Sequence, residues 1–131
     1  MRITADTNVL VRAVMGDDPV QSPAAATMLR AATSIAVTLP ALCEFVWVLS
    51  RAYQRSNADI AEAIARLLAV DNVVADRAAA SAGLKFLAAG GDFADGVIAH
   101  QGRGLGGDVF VSFDRAALSI AKRLKWEARS P

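Results

Sequence analysis

Short β-branched runs alternate along the chain with stretches whose apolar residues recur every three or four positions. Residues 2–5 read as a first strand. A helix over 8–15 follows, with Val9, Leu10, Ala13 and Val14 on its apolar side. Gly16-Asp17-Asp18-Pro19 breaks it. An alanine-rich helix over 20–32 comes next, with Pro23 tolerated in its first turn. Residues 34–38 form the second β-branched run. Pro40 stands where a helix begins, and Leu42, Phe45, Val46 and Leu49 keep helical spacing. Ser56-Asn57-Ala58-Asp59 caps the next helix, whose stripe is Ile60, Ile64, Leu67 and Leu68. Residues 73–75 read as a short strand. Residues 76–88 read as a helix ending at Gly90-Gly91, and 92–101 as a helix ending in Gly102-Arg103-Gly104. Residues 109–112 are the clearest strand after the first, 115–124 the last long helix, and 126–128 an edge strand. The alternation implies one α/β domain over residues 1–131. Its architecture is a three-layer α/β/α sandwich with a mostly parallel central sheet.

Composition adjusts this picture in three ways. At 54% apolar residues the chain has more hydrophobic surface than a short sheet can cover. Phe45, Trp47, Val48 and the helix over 20–32 are therefore expected to supply a homodimer contact and a groove for an apolar partner helix. The net charge of +1 advertises no basic field, so a nucleic-acid partner would be met by a local patch. Arg12, Arg51, Arg55, Arg103 and Arg115 are the candidates for it. The one cysteine, Cys43, makes no internal disulfide, reads as a small buried hydrophobe, and fits a reducing cytoplasm. No stretch has the apolar length of a membrane span, and Asp6 interrupts what a signal peptide would need to be apolar.

Four acidic residues stand near strand ends or helix starts: Asp6, Glu44, Asp95 and Asp114. Each has a bland explanation. Asp6 and Asp114 fit helix caps, Asp92 and Asp95 fit an N-cap with an N3 acid, and Glu44 lies in or near a first turn. Glu44 also sits in a very apolar helix, where a buried carboxylate would need a partner. The set carries more than its members. In a parallel sheet the strand carboxyl ends and following helix starts share one edge, where open α/β folds hold their sites. Carboxylates gathered there cannot all stay ionised without a cation. Mg²⁺ or Mn²⁺ would supply it, with oxygen ligands and retained waters. Zinc does not fit a chain with one His and one Cys. His100, over a turn beyond Asp95, reads as a packed or surface residue. The glycines at 102–107 lack the lysine and hydroxyl of a phosphate loop.

Asp6-Thr7-Asn8-Val9-Leu10 after a short strand, Glu44 in the third helix, Phe93-Ala94-Asp95-Gly96-Val97-Ile98-Ala99, and Ser112-Phe113-Asp114-Arg115 together resemble a PIN domain. More narrowly, they resemble the VapC-type toxin ribonucleases of toxin–antitoxin pairs. The resemblance implies a Mg²⁺- or Mn²⁺-dependent endoribonuclease, with metal-activated water attacking a phosphodiester, inhibited by a VapB-type antitoxin. It implies that Asp6, Glu44, Asp95 and Asp114 are catalytic, and that Asp6, Asp95 and Asp114 hold metal. Asn8 and Ser112 match the supporting polar positions, and Asp92 a frequent extra acid. Gly96 stands where such motifs often carry alanine. It is expected to loosen its helix by about 1 kcal/mol. Two rivals remain. One is an aspartyl-nucleophile phosphoryl-transfer domain, which would want a second aspartate where Asn8 stands. The other is a non-catalytic α/β interaction module.

Overall fold

Strand β1 (Arg2–Thr4) opens the first of two compact units, Met1–Asp76 and Arg77–Pro131. The computed structural model describes all 131 residues. In the first unit β1, β2 (Ser34–Ala36) and β3 (Val73–Val74) lie in that order in one parallel sheet. Ile35 is paired with Ile3 on one side and Val73 on the other. Parallel strands need long crossovers. Helices α1 (Thr7–Met15) and α2 (Gln21–Ala31) make the first, and α3 (Leu39–Arg51) and α4 (Asn57–Leu68) the second. The strands are shorter than the β-branched runs suggest. Backbone bonds from Ala5 N–H to the Ala36 carbonyl (3.1 Å) and from Val37 N–H to the Val74 carbonyl (2.9 Å) carry the pairing one residue further. Ala5 and Val37 are buried as a result. Asp6 and Thr38 follow them at the carboxyl edge of the sheet.

Local chemistry fixes where these helices begin and end. Thr38 Oγ1 accepts from Ala41 N–H (3.3 Å) and Ser56 Oγ from Asp59 N–H (3.1 Å). Asp18 Oδ1 takes the N–H groups of Val20 (2.9 Å) and Gln21 (2.6 Å) at the start of α2. Those bonds, the Gln21 bond above all, hold the Asp18 carboxyl below the usual range. Gly16, at φ +63°, closes α1 in the left-handed region. Leu10, Leu42, Phe45, Leu49, Ile60 and Ile64 are the large fully buried side chains of this unit. Phe45 therefore offers no surface to a partner, contrary to expectation. Trp47, two positions on and across the helix, is 62% exposed.

The second unit runs α5 (Arg77–Ala88), α6 (Phe93–Gly104), β4 (Phe110–Val111), α7 (Arg115–Arg123) and β5 (Ala128–Arg129). Strands β4 and β5 pair in parallel, Phe110 opposite Ala128. Phe86, Ala117, Leu118, Ile120, Ala121 and Ala128 form its core, with Phe110, Leu124 and Trp126 at the margin. Two boundaries differ from the sequence reading. Helix α6 runs through Gly102-Arg103-Gly104 and stops where Gly106 turns left-handed at φ +97°, its N–H bonded to the Arg103 carbonyl. The last strand starts at Ala128 rather than Trp126. Lys125 takes φ +68°, Trp126 N–H bonds back to the Ala121 carbonyl (2.9 Å), and its ring packs against Phe86 at 5.7 Å. Trp126 thus belongs to a turn that closes the core.

Helices α5 and α6 cross at two glycines. A Cβ on Gly96 would lie 2.4 Å from the Ala82 carbonyl oxygen and 2.8 Å from Gly83 Cα. One on Gly83 would lie 2.6 Å from the Phe93 ring. Gly96 is thus the residue that lets α6 sit directly on α5. The loosening expected from its poor helix propensity is offset by that contact. All strand pairs in the chain are parallel, and the α/β class expected from the sequence is the class observed.

Candidate active site

In the first unit the acids are organised by Thr7, a residue the sequence reading passed over as part of a strand–helix junction. Its backbone N–H donates to Asp6 Oδ1 at 2.8 Å, and its hydroxyl donates to Glu44 Oε2 at 3.1 Å. Thr7 itself is buried at 7% exposure. One ordered residue therefore fixes one oxygen of each carboxylate and leaves the other free. Asp6 caps α1, so the helix-cap explanation is correct and compatible with a further role. Glu44 departs from expectation twice. It is the sixth residue of α3, beyond the first turn, and it is exposed rather than buried. Its helix is apolar, but it points away from the core formed by Leu42, Phe45 and Leu49. Asp6, Thr7, Asn8 and Glu44 line one cavity of about 390 Å³, whose other walls include Arg12 and Tyr53. Asn8 is exposed there and forms no side-chain hydrogen bond.

The second unit brings together Asp92, Asp95 and Asp114. Asp92 Oδ1 accepts from Ala94 N–H (3.1 Å), capping α6. Asp114 Oδ1 accepts from Ala116 and Ala117 N–H (2.9 and 3.2 Å), capping α7. Ser112 Oγ takes the N–H of Asp114 at 3.0 Å and so fixes the turn that presents it. Asp95 is different. It holds the N3 position of α6 but forms no bond back to Asp92, so the capping-box relation is only half made. Burial pushes its carboxyl above the usual range, and the charges of Asp92 and then Asp114 push it further. The carboxylate is half-buried, unbonded and repelled by two like charges.

The expected basic residues are dispersed. Arg51, Arg55 and Arg115 are exposed. The Arg103 guanidinium lies 5.1 Å from the centroid of the Trp126 ring and is committed to that contact. Arg115 shares a shallow groove with Lys122 and Arg123, two residues on α7 that order along the chain did not single out. Helical spacing of 115, 119, 122 and 123 was the signal that could have found them.

In neither unit do three carboxylate, imidazole or thiolate side chains stand close enough to form a ready-made metal cage. Mg²⁺ does not need one, since it is usually held by one or two carboxylates and keeps several waters. In the first unit the second oxygens of Asp6 and Glu44, and in the second unit the unbonded carboxylate of Asp95, are hard donors of the kind such an ion takes. No helix of the chain is long and apolar enough to cross a membrane. No curated protein matches the chain. Residues 3–123 do match the family model described as PIN domain, over both units and past all the acids named above. The chain therefore belongs to the PIN domain family, whose members are generally metal-dependent nucleases.

Proposed function

We propose that the chain is a Mg²⁺- or Mn²⁺-dependent endoribonuclease, the toxin of a toxin–antitoxin pair, acting as one domain over residues 1–131 in the cytoplasm. The observation that carries the metal-dependent part is Asp95. A half-buried carboxylate left without a hydrogen bond, its pKa raised by burial first and by two like charges next, is costly in the free protein, and a bound cation would relieve that cost. The catalytic acids are Asp6, Glu44, Asp95 and Asp114, with Asp6, Asp95 and Asp114 as the metal ligands. Asn8 and Ser112 give polar support, and Asp92 is an extra acid. A divalent cation held by these oxygens would polarise the phosphodiester and lower the pKa of water beside it. The chain's own part is positional. Thr7 anchors Glu44 by Oε2, so that Oε1 is free to complete the cation's shell or to orient water. The exposed arginines, Arg51, Arg55 and Arg115, would meet the RNA backbone.

The toxin assignment brings a partner. Val14, Val20, Met28 and Trp47 of the first unit leave apolar side chains exposed by 40%, 75%, 44% and 62%. Surface of that kind is expected at a homodimer contact or under an apolar VapB-type antitoxin helix.

The test is to incubate the protein with a broad panel of structured RNAs in Mg²⁺ or Mn²⁺, with and without chelator. Metal-dependent endonucleolytic cuts are expected, lost in Asp6→Asn, Asp95→Asn and Asp114→Asn. Chelator-resistant cutting would remove the metal mechanism, and no cutting of any RNA would remove the nuclease reading. Suppression of cutting by the product of the adjoining short reading frame would test the toxin pair.

A further inference from the structure

The cavity between α1 and α3 has a second half that the acids do not use. Arg12 and Tyr53 line it, and both are held in place. The Tyr53 hydroxyl donates to Asp17 Oδ2 at 2.8 Å and accepts from Arg12 Nη1 at 3.3 Å. Arg12 Nε donates to Gln21 Oε1 at 2.8 Å, and Asp17 Oδ1 lies 3.6 Å from Nη1. Asp17 in the loop after α1 and Gln21 of α2 therefore brace the Arg12 guanidinium and the phenol of Tyr53, just past α3, which also bond to each other. The bracing leaves Arg12 Nη2 without a hydrogen bond and leaves the ring half-exposed at the cavity wall. Each member alone has a bland reading, since Arg–Asp pairs on a surface are worth little. Their common feature is that every bond converges on two groups lining the same cavity as Asp6, Thr7 and Glu44.

We propose that Tyr53 and Arg12 form a nucleotide subsite in this cavity, the ring stacking on an unpaired base and Nη2 donating to a phosphate next to the one cut. The proposal rests on the ribonuclease reading and adds what that reading lacks, a reason for single-stranded substrate. An aromatic face accepts any base, but only one that is free of a duplex stack. A braced guanidinium offers a phosphate a fixed Nη2 donor at little entropic cost. Arg12 is six residues along α1 from Asp6, roughly 9 Å at 1.5 Å per residue, so its phosphate would be a neighbour of the scissile one. RNA of at least two nucleotides is therefore the required ligand class.

Binding can be read without cutting. A fluorescein-labelled single-stranded RNA oligonucleotide and its duplex are titrated with the protein, by anisotropy, in chelator. Wild type is expected to prefer the single strand. Tyr53→Leu keeps apolar bulk but not the stack, and should weaken single-strand binding by about tenfold and erase the preference. Tyr53→Phe keeps the ring and should hold most of it. Arg12→Gln should lower the slope of log affinity against log salt by about 0.7. Melting temperature confirms that each variant is folded. Should Tyr53→Leu unfold, the Tyr53→Phe and Arg12→Gln results decide. Unchanged affinity and slope in folded Tyr53→Leu and Arg12→Gln would overturn the subsite, as would a wild type that binds no RNA. Cleavage in Mn²⁺ is measured in parallel. A chain that binds as described but never cuts keeps the subsite and loses the nuclease reading. One that cuts with KM unmoved by either substitution keeps the nuclease reading and loses the subsite.

Discussion

Asp95 shows how a single residue can be read from its missing bonds. Asp92 and Asp114 each use one oxygen to cap a helix. Asp95 has the charge without the bond, and its pKa is raised by burial first and by its two neighbours next. The consequence for stability has a definite sign. A carboxyl whose folded pKa exceeds its unfolded value binds its proton more tightly in the native state. Native stability is then favoured below the unfolded pKa, near 3.8, and falls as pH rises through the folded pKa. Asp95→Asn removes that loss. The variant should melt higher than wild type at neutral pH, and the gap should close as pH is lowered below about 3.8. Melting curves across pH check it. A variant less stable than wild type at neutral pH would mean that Asp95 is a structural acid. Asp6, Asp92, Asp95 and Asp114 could be picked out along the chain, because each follows a strand or stands in the first turn of a helix. Thr7 could not. A threonine between a strand and a helix looks like ordinary β-branched filler, and its bond to Glu44 depends on α3 lying beside α1. The apolar neighbours of Glu44 say how buried its helix is but not which face the residue occupies.

At the scale of elements, helix periods and caps were legible because they are local. Ser56, Thr38 and Gly16 act where chemistry places them. Contacts between elements were not. The glycines of α6 illustrate both failures. Gly102 and Gly104 looked like a helix stop but lie in open space and are carried along by the helix. Gly96 looked like a weak point but is the seat of α6 on α5. Helix propensity alone says that Gly96→Ala should stabilise by about 1 kcal/mol. The Cβ would instead lie 2.4 Å from a backbone oxygen that cannot rotate away, so α6 must move. Overpacking of this kind typically costs about 1–3 kcal/mol. Gly96→Ala should therefore be net destabilising by up to about 2 kcal/mol in denaturant unfolding, and should displace Asp95 one residue before it. Leu84, half-buried on the same helix as Gly83, is a suitable control site, since alanine there should create space rather than a clash. A stabilised Gly96→Ala would show that the crossing relaxes freely.

For the whole molecule, what decides function is whether acids from residues 1–76 and from residues 77–131 serve the same cation. Sequence order alone gave a list of acids near strand ends. Membership of the PIN family makes a shared role the reading to test. Metal-dependent stability provides the test without reference to any RNA. A cation that binds only folded protein stabilises it by about 2.7 kcal/mol at a hundredfold excess over its dissociation constant. For a chain of this size that is roughly a 10 °C rise in melting temperature. Asparagine can serve as a cap through its own side-chain oxygen. Asp6→Asn, Asp95→Asn and Asp114→Asn should therefore fold as well as wild type without metal, and Asp95→Asn better. If the acids of both units hold the metal, all three variants should lose most of the Mn²⁺-induced rise. If only Asp92, Asp95 and Asp114 hold it, Asp6→Asn should melt with metal as wild type does, and Asp6 would then be a helix cap whose free oxygen has no ligand. Equal rises in wild type and all three variants would place the metal elsewhere and remove these aspartates from the mechanism. Melting temperature against Mn²⁺ for the four proteins separates these outcomes, and the Asp6→Asn curve is the one on which a joint site stands or falls.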